Sequence, residues 1–235
     1  MSVRILLAPG PDLPSTQPSD AEIAATAAAL TAWITTDLGP AYAEGWNGHY
    51  SVGALARGVP VPPPDPRTWI CHLTAASTVQ NALGYHTRDV NGNPELFVAV
   101  QASLQAGRPW SLVASHEIAE ALVNRFVDAG ILASYGPGQG FYYMEAADPV
   151  EGQPGYFYHH AGVDYAMSNF VLPAYWHVNL PGPYDRGGYV HAPLHPAPGG
   201  VQTVFVVSGA AQIAADGVVV AGDPADPMIH AGNRR

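Results

Sequence analysis

Apolar residues recur along this chain with two periods. Between Ser19 and Leu38 they fall at Ile23, Ala27, Leu30 and Ile34, the spacing of one helix face. Ser19 with Glu22 three positions on reads as a capping box that starts this helix, and Gly39-Pro40 as its stop. A second helix is predicted over 111–128. There Ile118, Ala119, Leu122, Val123, Phe126 and Val127 form one apolar arc, with Glu117, Asn124, Arg125 and Asp128 opposite. Strands are predicted at 69–73, 85–90 and 96–101, the last two flanking Asn91-Gly92, a hairpin signal. Residues 201–207 and 210–221 read as two further strands, with Asp216-Gly217 as a tight turn. Residues 8–18 and 58–66 are rich in Pro and read as an extended arm and a connector, whereas 130–198 combines Gly, Pro and aromatics with few helical signals. The pattern divides the chain into an N-terminal arm and helix (1–66) packed on a main α/β (α+β) domain (67–200), followed by a C-terminal β-hairpin and tail (201–235).

The second helix carries the chemistry. Its stretch Ser115-His116-Glu117-Ile118-Ala119-Glu120 is a variant of His-Glu-x-x-His, with Glu at the last position. Residues i and i+4 share a helix face, so His116 and Glu120 keep the spacing of two metal ligands. Zinc accepts carboxylate oxygen as well as imidazole nitrogen. Glu117 keeps the position of the general base that activates water. His116 and Glu120 fall where the apolar and polar arcs meet, which predicts a half-buried edge facing a cleft. A third ligand is needed, and the acidic segment Glu145-Ala-Ala-Asp148-Pro149-Val-Glu151 offers it. Glu145 follows an apolar run that reads as a strand and is the first choice. Asp148, before Pro149, is its substitute or orients a ligand from behind. Glu151, before Gly152, reads as solvated. Two carboxylates make the site hard enough for calcium or manganese to compete with zinc.

In these motifs the chain resembles a zincin-like family of actinobacteriophage and bacterial proteins. The likeness rests on Ser-His-Glu-x-x-Glu followed by an aromatic-Glu-x-x-Asp-Pro-Val-Glu segment. It extends to Ala82-Leu-Gly-Tyr-His86, Asn169-Phe-Val-Leu-Pro173, Gly182-Pro-Tyr-Asp185 and Pro198-Gly-Gly200, so it runs from about Trp69 to Gly200. Where the family pattern places Asp-Pro soon after the second Glu, this chain has Asn124-Arg125. The resemblance implies a zincin-like domain: a small mixed sheet, then the ligand-bearing helix, with long Pro/Gly-rich loops. The edge strand of that sheet borders the cleft, and residues 96–101 are expected to form it. Such an edge suits an extended peptide substrate bound by strand addition.

Composition narrows the partners. The formal net charge is −10 and Lys is absent, so neither nucleic acid nor an anionic membrane is an expected partner. No apolar run reaches the roughly 18 residues of a membrane span, and the apolar core of Met1–Leu7 is too short for a signal peptide. The chain is therefore expected to be soluble, and the resemblance to phage proteins implies a place in a virion or the host cytoplasm. The single cysteine, Cys71, sits in an apolar run and reads as a buried small hydrophobe. His159 and His160 point apart in a strand, so one at most could face a metal. Tyr175 or His177 could donate to an oxyanion, whereas His191, His195 and His230 carry no usable signal. Two functions emerge. One is a metal-dependent hydrolase, a zinc metallopeptidase-like protein of phage origin acting on peptide or protein. The other is a structural component of a phage particle, capsid or tail associated, that meets other particle proteins through an inactive zincin-like domain.

Overall fold

A computed structural model describes residues 2–42, 49–63, 65–135, 138–206, 209–214 and 219–221. Its first half alternates strands and helices: β1 (Ser2–Pro9), α1 (Asp20–Trp33), α2 (Gly39–Ala41), β2 (His49–Ala54), β3 (Thr68–Thr74), β4 (Gly84–Arg88), β5 (Pro94–Ala99), α3 (Val100–Gln105) and α4 (Trp110–Val123). The second half is mostly strand: β6 (Gly130–Tyr135), β7 (Gly138–Tyr143), β8 (Tyr156–His160), β9 (Val163–Met167), β10 (Val201–Val206), β11 (Gly209–Ala214) and β12 (Val219–Ala221). The mixed α+β class is as the sequence predicts.

The first sheet runs β2-β1-β3-β5-β4, with every pairing parallel except β4 against β5. Alternation along its strands sorts the two faces. Ile5, Leu7, Trp69, Cys71, Leu73, Leu96 and Val98 join the main core with α1 and α4, while Leu6, Ala8 and Ile70 form a small cluster on the other side. The β8–β9 hairpin lies over α1 and α4. A second, antiparallel sheet runs β12-β11-β10-β7-β6.

Several boundaries differ from those expected. Residues 2–9 form a strand inside the first sheet, paired on both sides, so the N-terminal segment is part of that sheet. Gly39-Pro40 does not stop the first helix: the capping box is present at Ser19 and Glu22, but the backbone passes through a π-helical turn at Ile34–Leu38 into α2. The edge strand is β4, because β5 lies between β3 and β4. The motif helix ends at Val123 rather than 128. Asn124 ends it by turning its side chain onto the following backbone, where Oδ1 accepts from Asp128 N at 3.0 Å and Ala129 N at 2.8 Å. Four strands lie in the stretch 130–198, where the sequence shows few helical signals. β10 also pairs with β7, so the C-terminal strands extend a sheet begun far upstream. The proposed Asp216-Gly217 turn and His230 lie outside the described residues. No helix among the described residues is long and apolar enough to cross a membrane.

Candidate metal centre

Helix α4 has apolar residues on more than one side because it is enclosed by β4, β5 and β9. Glu117, placed by periodicity on the polar arc, is wholly buried, as are His116 and Glu120. The half-buried edge expected for the two ligands is therefore an interior position. Phe126, assigned to the apolar arc, is exposed because the helix has already ended. Ser115 fixes the helix against its neighbour: its Oγ donates to Leu112 O at 2.9 Å and accepts from Ser168 N at 2.7 Å.

Six ionisable side chains meet at this helix. His86, His116, Glu117, Glu120, Glu145 and Asp148 are 1, 1, 0, 0, 0 and 3% exposed. His116 Nε2 is 3.2 Å from Glu120 Oε1 and 3.3 Å from Asp148 Oδ1. Asp148 follows Ala147 into a short turn, and its own backbone N–H donates to Glu120 Oε1 at 3.1 Å, which locks the acidic segment onto α4. The other oxygen, Glu120 Oε2, is 3.3 Å from His86 Nδ1, which also lies 3.5 Å from Glu117 Oε2. His86 Nε2 is 3.7 Å from Glu145 Oε2. Glu145, expected as the partner of His116 and Glu120, thus stands beside His86, and Asp148 stands beside His116. The metal-compatible groupings are His116 with Glu117 and Glu120, and His86 with Glu120 and Glu145, the donor atoms of each lying within 4.8 Å of one another.

His86 is a ligand candidate that the sequence does not single out. It stands in β4, where Gly84 and His86 face α4 while Tyr85 turns to the opposite face and stacks on Phe97. That alternation is the available signal, but it becomes legible only once β4 is known to lie beside the motif helix. Gly84 allows the approach: a Cβ there would stand 2.6 Å from Glu117 Oε1 and 2.7 Å from Val113 Cγ1. Gly200 does the same for the acidic segment, since a Cβ there would stand 2.2 Å from Pro149 O.

The charges are unbalanced. Four buried carboxylates face two imidazoles, so with every acid ionised the cluster stays negative even when both imidazoles are protonated. Burial opposes charge on His86 and His116, yet the surrounding carboxylates hold both well above the ordinary histidine range. Burial pushes Glu117 up to about 7, against the pull of both histidines, and Asp148 up to about 6, reinforced by Glu120. Glu145 is raised well above its usual range by burial, with the nearby acids adding to it. Glu120 moves the other way: burial would raise it, but His116 and His86 on its two sides hold it low. His116 Nε2, both oxygens of Glu117, Glu120 Oε2 and Asp148 Oδ1 are buried without a hydrogen-bond partner among the described residues. Buried polar atoms left so cost free energy unless something meets them. A divalent cation would satisfy both the charge and the orphaned atoms. The spacing also fits, since donors at about 2.0–2.1 Å on a tetrahedral zinc stand roughly 3.3 Å apart.

A half-open cleft of about 270 Å³ reaches the cluster at His116, walled by Arg108, Leu112, Glu151 and Asn169 among others. Glu151 is not solvated as expected. It is half-buried on this wall, and burial with the nearby Asp148 raises it to about 8. Tyr175 is buried and its hydroxyl is raised by burial and by the nearby Tyr142 and Asp148, while His177 is exposed on the surface. His159 is exposed and paired with Asp164 at 2.8 Å. Cys71 is a buried free thiol. Compared with family models, curated proteins and solved structures, the chain matches none.

Proposed function

We propose that this chain is a metal-dependent hydrolase, a zinc metallopeptidase-like protein built on a zincin-like domain. The observation that carries the reading is His116 Nε2, which has the carboxylates of both Glu120 and Asp148 beside it. The His116 contacts are 3.2 and 3.3 Å, and His116 forms part of the cleft wall. These three would hold the ion, in place of the set with Glu145. Bound there, zinc supplies a Lewis acid that polarises a carbonyl and makes water more acidic. Glu117 has a carboxylate oxygen within 4.8 Å of donor atoms on His116 and Glu120, a span that one water molecule bridges. It takes the proton from the attacking water and delivers it to the leaving nitrogen. Among the described residues β4 pairs with β5 alone, an antiparallel edge of the kind that takes up an extended peptide, with residues 84–86 buried and 87–88 half-buried.

The test is Glu117→Gln, which keeps size and removes the base. This variant should fold, retain its metal and lose hydrolysis of a peptide library by about 10²–10⁴-fold, the span usual for a general base. His116→Ala should lose the ion and the activity together. Wild-type protein that binds metal and cleaves no peptide would overturn the hydrolase reading.

A second reading has one observation in its favour. Of the six clustered residues only His116 lines the cleft, so an ion could serve to staple β4, α4 and the 145–148 turn together. That is what a component of a phage particle with an inactive site would need, and it predicts a metal-loaded protein without turnover.

A further inference from the structure

We propose that the centre binds two divalent cations, with Glu120 bridging them. This rests on the metal-site reading above and adds a second ion on the side of His86. The first observation is the orientation of the Glu120 carboxylate. Its two oxygens address different imidazoles, Oε1 at 3.2 Å from His116 Nε2 and Oε2 at 3.3 Å from His86 Nδ1. Each oxygen of Glu120 thus stands where it could ligate a separate ion together with its own imidazole. Paired ions about 3.5–4 Å apart are commonly joined by such a bridge.

The second observation is the donor set. On one side His116 Nε2 stands beside both Glu120 Oε1 and Asp148 Oδ1, and on the other His86, Glu120 and Glu145 offer donor atoms within 4.8 Å of one another. Each half thus offers one imidazole, one private carboxylate and a share of Glu120. Glu117 adjoins both halves, with an oxygen 3.5 Å from His86 Nδ1, and keeps its place as the base. The third observation is charge. Glu117, Glu120, Glu145 and Asp148 carry four negative charges when ionised, which two divalent cations neutralise with both imidazoles neutral. One divalent cation at His116 leaves the fully ionised cluster negative even with His86 protonated, and buried net charge carries a desolvation cost. The fourth is that Glu120 Oε2 and both Glu117 oxygens, wholly buried, have no hydrogen-bond partner among the described residues. Mixed imidazole and carboxylate donors suit zinc or manganese.

The experiment strips the full-length protein with a chelator, reloads it with zinc or manganese, removes excess ion and counts bound metal per chain. Two ions are expected for the wild type, and one for each of His86→Gln and His116→Gln with the folded circular-dichroism spectrum retained. One ion in the wild type overturns the second site and leaves the proposed hydrolase centre standing. No ion overturns both. Two ions that persist in a folded His86→Gln variant place the second ion elsewhere and overturn the proposal. Should either variant fail to fold, the wild type alone decides by electron paramagnetic resonance of the manganese form. A spin-coupled pair is expected, and a six-line spectrum of isolated ions overturns the bridge.

Discussion

Gly84 lacks a side chain in the place where Glu117 needs room. A Cβ at 84 would stand 2.6 Å from Glu117 Oε1 and 2.9 Å from Glu117 Cγ, closer than such atoms pack. Both partners sit on rigid elements, β4 and α4, so neither yields freely. Gly84→Ala should therefore destabilise the fold by about 1–3 kcal/mol, the usual penalty of overpacking a tight interior. It should also weaken metal binding, because the shift displaces His86 two residues along the same strand. Urea unfolding and a metal titration of the variant check this. Unchanged values in both would mean that β4 and α4 do not approach as closely as described. His86 itself escapes a reading of the sequence for a local reason. It closes the stretch Ala82-Leu-Gly-Tyr-His86 but has no ligand partner at helical spacing, so nothing near it in the chain marks it as a metal ligand.

At the scale of elements, α4 illustrates how one buried polar side chain sets a boundary. The apolar periodicity continues to Val127, yet the helix stops at Val123. Asn124 accepts two backbone N–H groups from residues beyond it and thereby offers the chain an alternative to another helical turn. The turn sends the chain into β6 and β7, and β7 leads to Glu145. Asn124 Nδ2 also reaches Glu145 Oε1 at 3.5 Å, so the helix end and the candidate metal centre share this residue. Asn124→Ala leaves Asp128 N and Ala129 N without this acceptor in a half-buried turn. The expected loss is about 1–3 kcal/mol of unfolding free energy. A loss below about 0.5 kcal/mol, the range of ordinary surface substitutions, would show that the turn is held by other contacts.

For the whole molecule, the centre joins segments far apart in sequence: β4, α4 and the turn after β7. Bound ions add stability to the folded state alone, because the unfolded chain has no assembled site. At a free metal concentration about 1,000 times the dissociation constant, one ion adds about 4 kcal/mol. In a chain of this size each kcal/mol corresponds to about 2–4 °C in Tm. Chelation should therefore lower Tm by roughly 8–16 °C, and added zinc should restore it. Scanning calorimetry with and without chelator measures the difference, and an unchanged Tm would count against any cation in the core.

What could be read from the chain is what short-range geometry dictates. Four residues of α-helix return a side chain to the same face, so His116 and Glu120 were a pair before any fold was known. The capping box at Ser19 and the hairpin through Asn91-Gly92 are likewise contacts across a few residues, and both are present. Tertiary structure decided the rest. β4 became the edge strand, and His86 the second imidazole, through the order in which strands assembled. The assembly exchanged Glu145 and Asp148 between the two histidines, because where an acidic segment lands depends on β7 and on the close packing at Gly200. It buried Glu117, which periodicity had placed on a polar face, by laying a strand against that face. Periodicity reports how apolar residues are spaced along one element; it carries no information about which elements close over the polar side.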